Sequence, residues 1–210
     1  MKIDNYPATK KKIFFAASRL FSQKCYADVG MREIANEAGV KVPTIYNHYV
    51  SKEAILDDLL QCYSDRLAAS YDSVKDLDYD QDPIECFKKI IFTFDETEID
   101  LMKQLMKILF SEQHRSTHAK KIIYDVMLRG GKEIDYNFLI HLKNRGLILC
   151  SENEIDSLAE CISRVAITFA VQFVREEEFS KRPDYPKTMV NLLKIILNYS
   201  PKEVPVKDQE

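Results

Sequence analysis

Between Met31 and Lys52 the chain reads Met-Arg-Glu-Ile-Ala-Asn-Glu-Ala-Gly-Val-Lys-Val-Pro-Thr-Ile-Tyr-Asn-His-Tyr-Val-Ser-Lys. Thr44, Tyr46, Asn47 and His48 offer the donors and acceptors that grip base edges and phosphate oxygens. Two short helices must position them. Ile34, Ala35 and Ala38 share one face of the first, over Met31–Ala38. Gly39 stands where the chain reverses, and glycine takes the left-handed conformation such a turn needs. Val40 points inward after the turn. In the second helix Ile45 and Tyr49 face inward four residues apart, which leaves the polar four outward or partly outward. Two short helices joined by a tight glycine turn form the unit that lays its second helix in a DNA major groove.

This spacing resembles the TetR family of one-component transcriptional regulators. Their motif runs Ile-Ala-x-x-Ala-Gly-Val, then Thr-[Leu/Ile]-Tyr-x-[His/Tyr]-[Phe/Val], then a Lys opening the next helix. Ile34, Ala35, Ala38, Gly39, Val40, Thr44, Ile45, Tyr46, His48 and Lys52 occupy those places. The match covers about the first 60 residues; the rest resembles the family only in length and helical character.

The resemblance implies roles by position. Thr44 would meet a base edge or a thymine methyl, with Lys41 and Val42 as the other base-side residues. Asn47 would read adenine or touch a thymine methyl. Tyr46, His48 and Lys52 would clamp phosphates, and Arg32 would reach a guanine or a phosphate. Three residues depart from the pattern. Lys41 replaces a capping Ser or Thr, with Pro43 preorganising the first turn instead. Gly30 replaces a capping hydroxyl. Cys25 replaces the usual glycine after the first helix, which puts that turn in question.

Charge is divided along the chain. The first 50 residues hold eight Lys/Arg and four Asp/Glu, while the whole chain is at −3, so the remainder is acidic. A basic end on an acidic body suits a protein that turns one face to a polyanion. Lys10, Lys11 and Lys12 stand in the first turn of a helix expected over 9–24, where cations oppose the helix dipole. Nearby phosphates would explain them, and Lys10 is counted among the DNA-binding residues.

The four lysines within Met1–Lys12 precede no apolar run, so no secretory signal is expected. The apolar stretch near Val165–Val174 is broken by Thr168 and Gln172, so no membrane span or membrane partner is expected. Five cysteines without a Cys-x-x-Cys pair fit free thiols, mostly buried, in a reducing cytoplasm. The five glycines form no phosphate-cradling pattern. No nucleophile, acid–base set or metal cluster converges in sequence, so neither an enzyme nor a cofactor nor a metal is expected. His114 and His118 are four apart, but Ser116 between them reads as a helix cap.

Apolar residues recur at i, i+3 and i+4 throughout, so the class is all-α, with about nine helices. Residues 1–52 are assigned to a three-helix helix-turn-helix DNA-binding domain, and 53–210 to a larger helical ligand-binding and dimerisation domain. Ser51 caps a helix to about Val74; others are expected over 83–94, 98–111, 116–144, 152–177 and 184–199, with Gly130-Gly131 kinking or breaking the long one. The body is rich in rings and thioethers. The resemblance suggests a ligand cavity lined by Phe87, Phe94, Met102, Met106, Phe110, Tyr124, Met127, Phe138, Phe169 and Phe173. It also pairs the helices over 152–177 and 184–199 with their copies in a four-helix dimer bundle.

The sequence thus points to a cytoplasmic homodimeric regulator, a repressor on a double-stranded, palindromic operator. A small apolar or aromatic effector of unknown identity would release it. The alternative keeps the DNA binding and replaces the small molecule with a partner protein or with no ligand.

Overall fold

The computed structural model describes residues 2–75, 77–78, 82–91, 98–175 and 184–199. Every regular element among them is helical. After a 3₁₀ turn at Lys2–Asn5 come α1 (Ala8–Gln23), a second 3₁₀ turn (Tyr26–Asp28), α2 (Met31–Ala38), α3 (Val42–Tyr46) and α4 (Lys52–Lys75). Then follow α5 (Pro83–Ile91), α6 (Ile99–Glu112), α7 (Thr117–Lys121), a π-helix (Ile122–Gly130), α8 (Gly131–Asn144), α9 (Glu152–Arg175) and α10 (Asp184–Tyr199). No helix of the described residues is long and apolar enough to cross a membrane.

The ends of these helices follow local chemistry. Gly39 sits at φ 65°, ψ 37°, past the end of α2. Its N–H reaches Asn36 O at 3.1 Å, and Val40 N–H reaches Ala35 O at 2.9 Å, which satisfies two terminal carbonyls. Gly146 (φ 70°) ends α8 in the same way, with Leu147 N–H on Leu142 O at 2.9 Å. Ser116 caps α7 through Ala119 N–H at 3.1 Å. Asp82 accepts from Ile84 and Glu85 N–H at 2.9 and 3.1 Å, behind Pro83. Ser51 accepts from Ala54 N–H at 3.2 Å at the start of α4. Cys25 lies at φ −61°, open to any residue, so the turn after α1 needs no glycine.

Of the kink or break expected at Gly130-Gly131, the break does not occur. Gly130 (φ −64°, ψ −42°) and Gly131 (φ −61°, ψ −47°) are both right-handed helical, and winding continues through them. What changes is the pitch: π before Gly131, α after it. Ile122 and Met127, five residues apart, are the fully inward positions of the π segment.

Two apolar clusters hold the molecule. One joins α1, α2 and α3 to α4, α6, α7 and the π-helix, with Ile13, Phe14, Ile34, Ile45, Ile55, Leu59 and Leu105 all within 1% of complete burial. The other packs α5, α8, α9 and α10 around Phe87, Phe138, Leu139, Ile155 and Met189, and reaches Val74 near the end of α4. The first cluster runs unbroken across residue 52, and Ser18 of α1 donates to Gln104 Oε1 of α6 at 2.8 Å. The N-terminal helices therefore share their core with the body. Of the five thiols, Cys62 and Cys86 are buried, while Cys25 and Cys161 are exposed. The expectation of mostly buried thiols fails because α9 turns Cys161 away from its packed face.

A Cβ at position 39 would meet nothing within 4 Å, so the cost of a side chain there is conformational. Gly39→Ala should lower the unfolding free energy by about 1–2 kcal/mol. Urea denaturation monitored by circular dichroism measures it.

Candidate nucleic-acid interface

Pro43 lies in the first turn of α3, behind Lys41, whose side chain makes no capping bond; the backbone supplies one through Thr44 N–H on Lys41 O at 2.9 Å. Ile45 is fully buried and Tyr49 is 4% exposed, which fixes the helix by its inner face. Tyr46 is 52% exposed, and Lys41, Asn47 and Arg32 of α2 are exposed as well. Val42, Thr44 and His48 are half-buried. Seven of the nine residues expected to meet DNA thus lie on or beside one short helix and the exposed face of its neighbour.

The other two are differently employed. Lys52 Nζ donates to Tyr26 O at 2.9 Å and Val29 O at 2.8 Å, and its ammonium lies 4.2 Å from the Tyr26 ring centre. It staples the start of α4 to the turn preceding α2. Lys10 Nζ lies 3.2 Å from Asp58 Oδ2, 3.7 Å above the Tyr6 ring and 5.0 Å from that of Tyr49. Its ammonium is paired with a carboxylate and packed on a ring, with the side chain still 23% exposed. Both lysines, expected to contact DNA, also hold the unit in place through these contacts.

Asp58, on the second turn of α4, is the centre of this arrangement. Tyr6 Oη donates to its Oδ1 at 2.5 Å and Tyr49 Oη to its Oδ2 at 2.7 Å. Burial and then the hydrogen bond to Asp58 push both phenols well above the ordinary tyrosine range, so neither ionises at neutral pH. The preceding residue, Asp57, faces His118 Nδ1 of α7 through its Oδ1 at 3.2 Å. An open groove runs between these groups, lined by Lys10, Tyr49, Asp57, Asp58, Gln61 and His118. The sequence reading missed Tyr6 and Asp58 altogether. Among the described residues no group of His, Cys, Asp or Glu is placed to hold a metal ion.

The residues expected to line one ligand cavity are divided. Met102, Met106 and Met127 are buried in the first cluster, with Phe110 packed against it. Phe87 and Phe138 stack at 5.5 Å in the second cluster, where Phe169 also packs. Tyr124 is 67% exposed, and the π winding that turns Ile122 and Met127 inward leaves it outside. Phe94 and the Phe173 side chain lie outside the described residues. Tyr71 packs against both clusters. The sequence reading also passed over Asp135, an acid that keeps the inward spacing of Gly131, Phe138 and Leu142 on α8. It is 7% exposed, and burial alone raises its pKa from 3.8 to about 8.

These features define a helix-turn-helix protein whose reading helix is locked to an all-helical body. Comparison with known proteins agrees. Residues 13–59 match the family described as "Bacterial regulatory proteins, tetR family". An uncharacterized HTH-type transcriptional regulator of Bacillus subtilis, YerO, is 33% identical over 85 residues, covering 39% of this chain and 28% of that protein. The transcriptional repressor KstR2 of Mycobacterium tuberculosis is 33% identical over 60 residues, 29% of this chain and 30% of its own length. The transcriptional activator FasR of Mycolicibacterium smegmatis is 38% identical over 58, 28% of this chain and 26% of its own length. The chain thus spans less than a third of the length of these relatives. Over the whole fold, the structure of M. tuberculosis KstR2 superposes with a TM-score of 0.66 at 19% identity, covering 95% of this chain and 98% of that one. A Saccharomonospora viridis regulator solved in complex with choline gives 0.66 at 16% identity, covering 90% and 95%. The chain is thus similar to the TetR family of bacterial regulatory proteins over residues 13–59, and its fold is that of the solved regulators.

Two outcomes follow from the buried carboxylates. Asp58→Ala leaves two phenols and an ammonium without their acceptor and should cost about 2–4 kcal/mol, measured by denaturant melting. Asp135 holds its proton in the folded state up to about pH 8, whereas the unfolded chain loses it near 3.8. The unfolded state therefore binds fewer protons across that window, and stability falls as pH rises through it. Asp135→Asn should flatten this decline in melting temperature and should melt higher than the native chain near pH 8.

Proposed function

We propose that the chain is a homodimeric, ligand-responsive transcriptional repressor that binds a palindromic double-stranded operator through α3. The observation that carries this reading is the exposure of Tyr46, Lys41 and Asn47 on a helix whose opposite face is buried through Ile45 and Tyr49. Thr44, Val42 and Lys41 would face the bases; Asn47 would read adenine or a thymine methyl; Tyr46, His48 and Arg32 would reach backbone oxygens or, for Arg32, a guanine. α3 is short and five residues alone grip weakly, so two copies on successive major-groove faces are needed for a specific site.

Dimerisation would use α9 and α10. Leu158, Val165, Phe169, Leu192 and Ile196 on these helices are only partly buried, and Ile195 is 52% exposed. Such a double apolar face is what a four-helix interface covers. A repressor is favoured by the name of KstR2 and an activator by that of FasR; a helix-turn-helix dimer acts most simply by occupying DNA. A small effector with an apolar or aromatic body would act through the rings of the second cluster. Choline bound to the S. viridis relative shows that this fold accommodates small ligands.

The test is fluorescence anisotropy on the DNA upstream of the protein's own gene, with light scattering to count chains per duplex. Two chains per operator half-pair are expected. Tyr46→Ala should weaken binding about tenfold or more. Lys41→Ala should reduce the slope of log affinity against log salt by about 1, while Lys10→Ala should leave that slope unchanged because its charge is already met by Asp58. Salt-independent binding, or full affinity in Tyr46→Ala, would overturn the reading.

A further inference from the structure

From Gln113 to Tyr124 the chain carries no Asp or Glu, but it carries Arg115, Lys120, Lys121 and two histidines. This is a basic island in a body where acids outnumber Lys and Arg. It forms the corner between α6 and α7. Ala119 and Ile122 are buried and seat it, while Arg115, Lys120 and Lys121 are exposed. None of these three forms an ion pair with another described residue. Nor do they serve the helix. Winding runs on from Thr117 to Asn144, so Lys120 and Lys121 stand near its beginning, where cations oppose the dipole. The fold gains nothing from three like charges held together there.

The corner abuts the reading unit. His118 Nδ1 faces Asp57 Oδ1 at 3.2 Å, and His118 borders one groove with Lys10 of α1 and Tyr49. Asp57 follows Lys52 by five residues, about 7.5 Å along α4. Lys52 is the residue tied to Tyr26 O and Val29 O, in the turn that leads into α2. The end of α6 lies beside the same turn: burial first, then Glu53, then the charges of Glu112 and Asp57 hold the Tyr26 phenol above the ordinary tyrosine range. The rise along α4 is comparable to the Debye length of about 8 Å at physiological salt, so charges at the corner and at the start of α2 are only partly screened from each other.

We propose that Arg115, Lys120 and Lys121 form a second DNA-contacting surface, which meets duplex phosphates beyond the stretch read by α3. This rests on the reading of α3 as the helix that enters the groove. A duplex laid against α3 carries one negative charge per about 1.7 Å of its axis, and its continuation is the polyanion brought nearest the corner. Contacts of this kind add affinity and fix orientation without reading bases. They would supplement α3, whose five residues offer few contacts of their own.

The test is fluorescence anisotropy of the full chain on the DNA upstream of its own gene. One variant combines Arg115→Ala, Lys120→Ala and Lys121→Ala, with native melting checked by circular dichroism. Its affinity should fall about tenfold or more, and the slope of log affinity against log salt should fall by about 2 or more per bound dimer. Its preference for this DNA over a scrambled duplex should stay unchanged, whereas Tyr46→Ala should lower that preference. A charge-conserving variant, Arg115→Lys with Lys120→Arg and Lys121→Arg, should bind as the native chain does. On the shortest fragment that still shows the Tyr46→Ala effect, the native chain and the alanine variant should bind alike. An unchanged slope in the alanine variant, an equal loss in the charge-conserving one, or a difference that survives trimming would overturn the proposal. If Tyr46→Ala weakens binding and the alanine variant does not, α3 keeps its role and the corner alone is dismissed; if the native chain binds no duplex, both readings fall.

Discussion

The carboxylate of Asp58 is the constraint on which the rest of the reading apparatus depends. It accepts from Tyr6 and Tyr49 and pairs with Lys10, so one side chain of α4 holds the chain before α1, the first turn of α1 and the segment following α3. Hydrogen bonds to a charged acceptor are stronger than neutral ones, and here the acceptor is shielded by two phenol rings and the ammonium stacked on them. Apolar burial of Ile45 and Ile34 sets how deep α3 sits. It leaves rotation about the helix axis weakly determined, since one or two inward residues in a five-residue helix cannot fix it alone. The directional bonds at Tyr49 supply what the non-directional core lacks.

α4 belongs to both halves of the molecule. Its first turns are tied to the reading unit by Lys52 and Asp58, and its far end enters the second cluster at Val74. At 1.5 Å per residue, 24 residues make a rod about 36 Å long. Such a rod carries a small tilt at one end to the other with little loss, because packed interiors do not deform smoothly. Tyr71 is the residue in common: it packs on both clusters and abuts the glycine pair that precedes Asp135. Anything that alters the packing beside Gly130 and Gly131 therefore acts directly on α4.

The sequence carried the helices and their ends plainly, because these are local. Gly39, Gly146, Ser51, Ser116 and the Asp82-Pro83 pair each act within a turn or two, and their signals are residue types at fixed offsets. The exposed residues of α3 were legible for the same reason: once Ile45 and Tyr49 are buried, the helical period sends Tyr46 and Asn47 outward. What stayed hidden depends on partners far along the chain. Tyr6 and Asp58 are 52 residues apart, and no period links them. Lys10 and Lys52 read as solvent-facing cations until the acceptors opposite them were placed. The rings and thioethers of the body read as one lining because composition does not tell one core from two. The π register, which sends Tyr124 outward, is invisible to a period of 3.6.

The reading unit and the buried acid obey one rule of electrostatics with opposite results. At Asp58 a carboxylate taken partly out of water is matched by three donors, and the match makes a rigid joint. At Asp135 a carboxylate more deeply buried is matched by none among the described residues, and the folded chain keeps it protonated instead. A matched charge holds one conformation; an unmatched one is kept neutral and makes stability depend on pH. Tyr71, which abuts the glycine pair one turn before Asp135, stands on α4, the same helix whose other end carries Asp58.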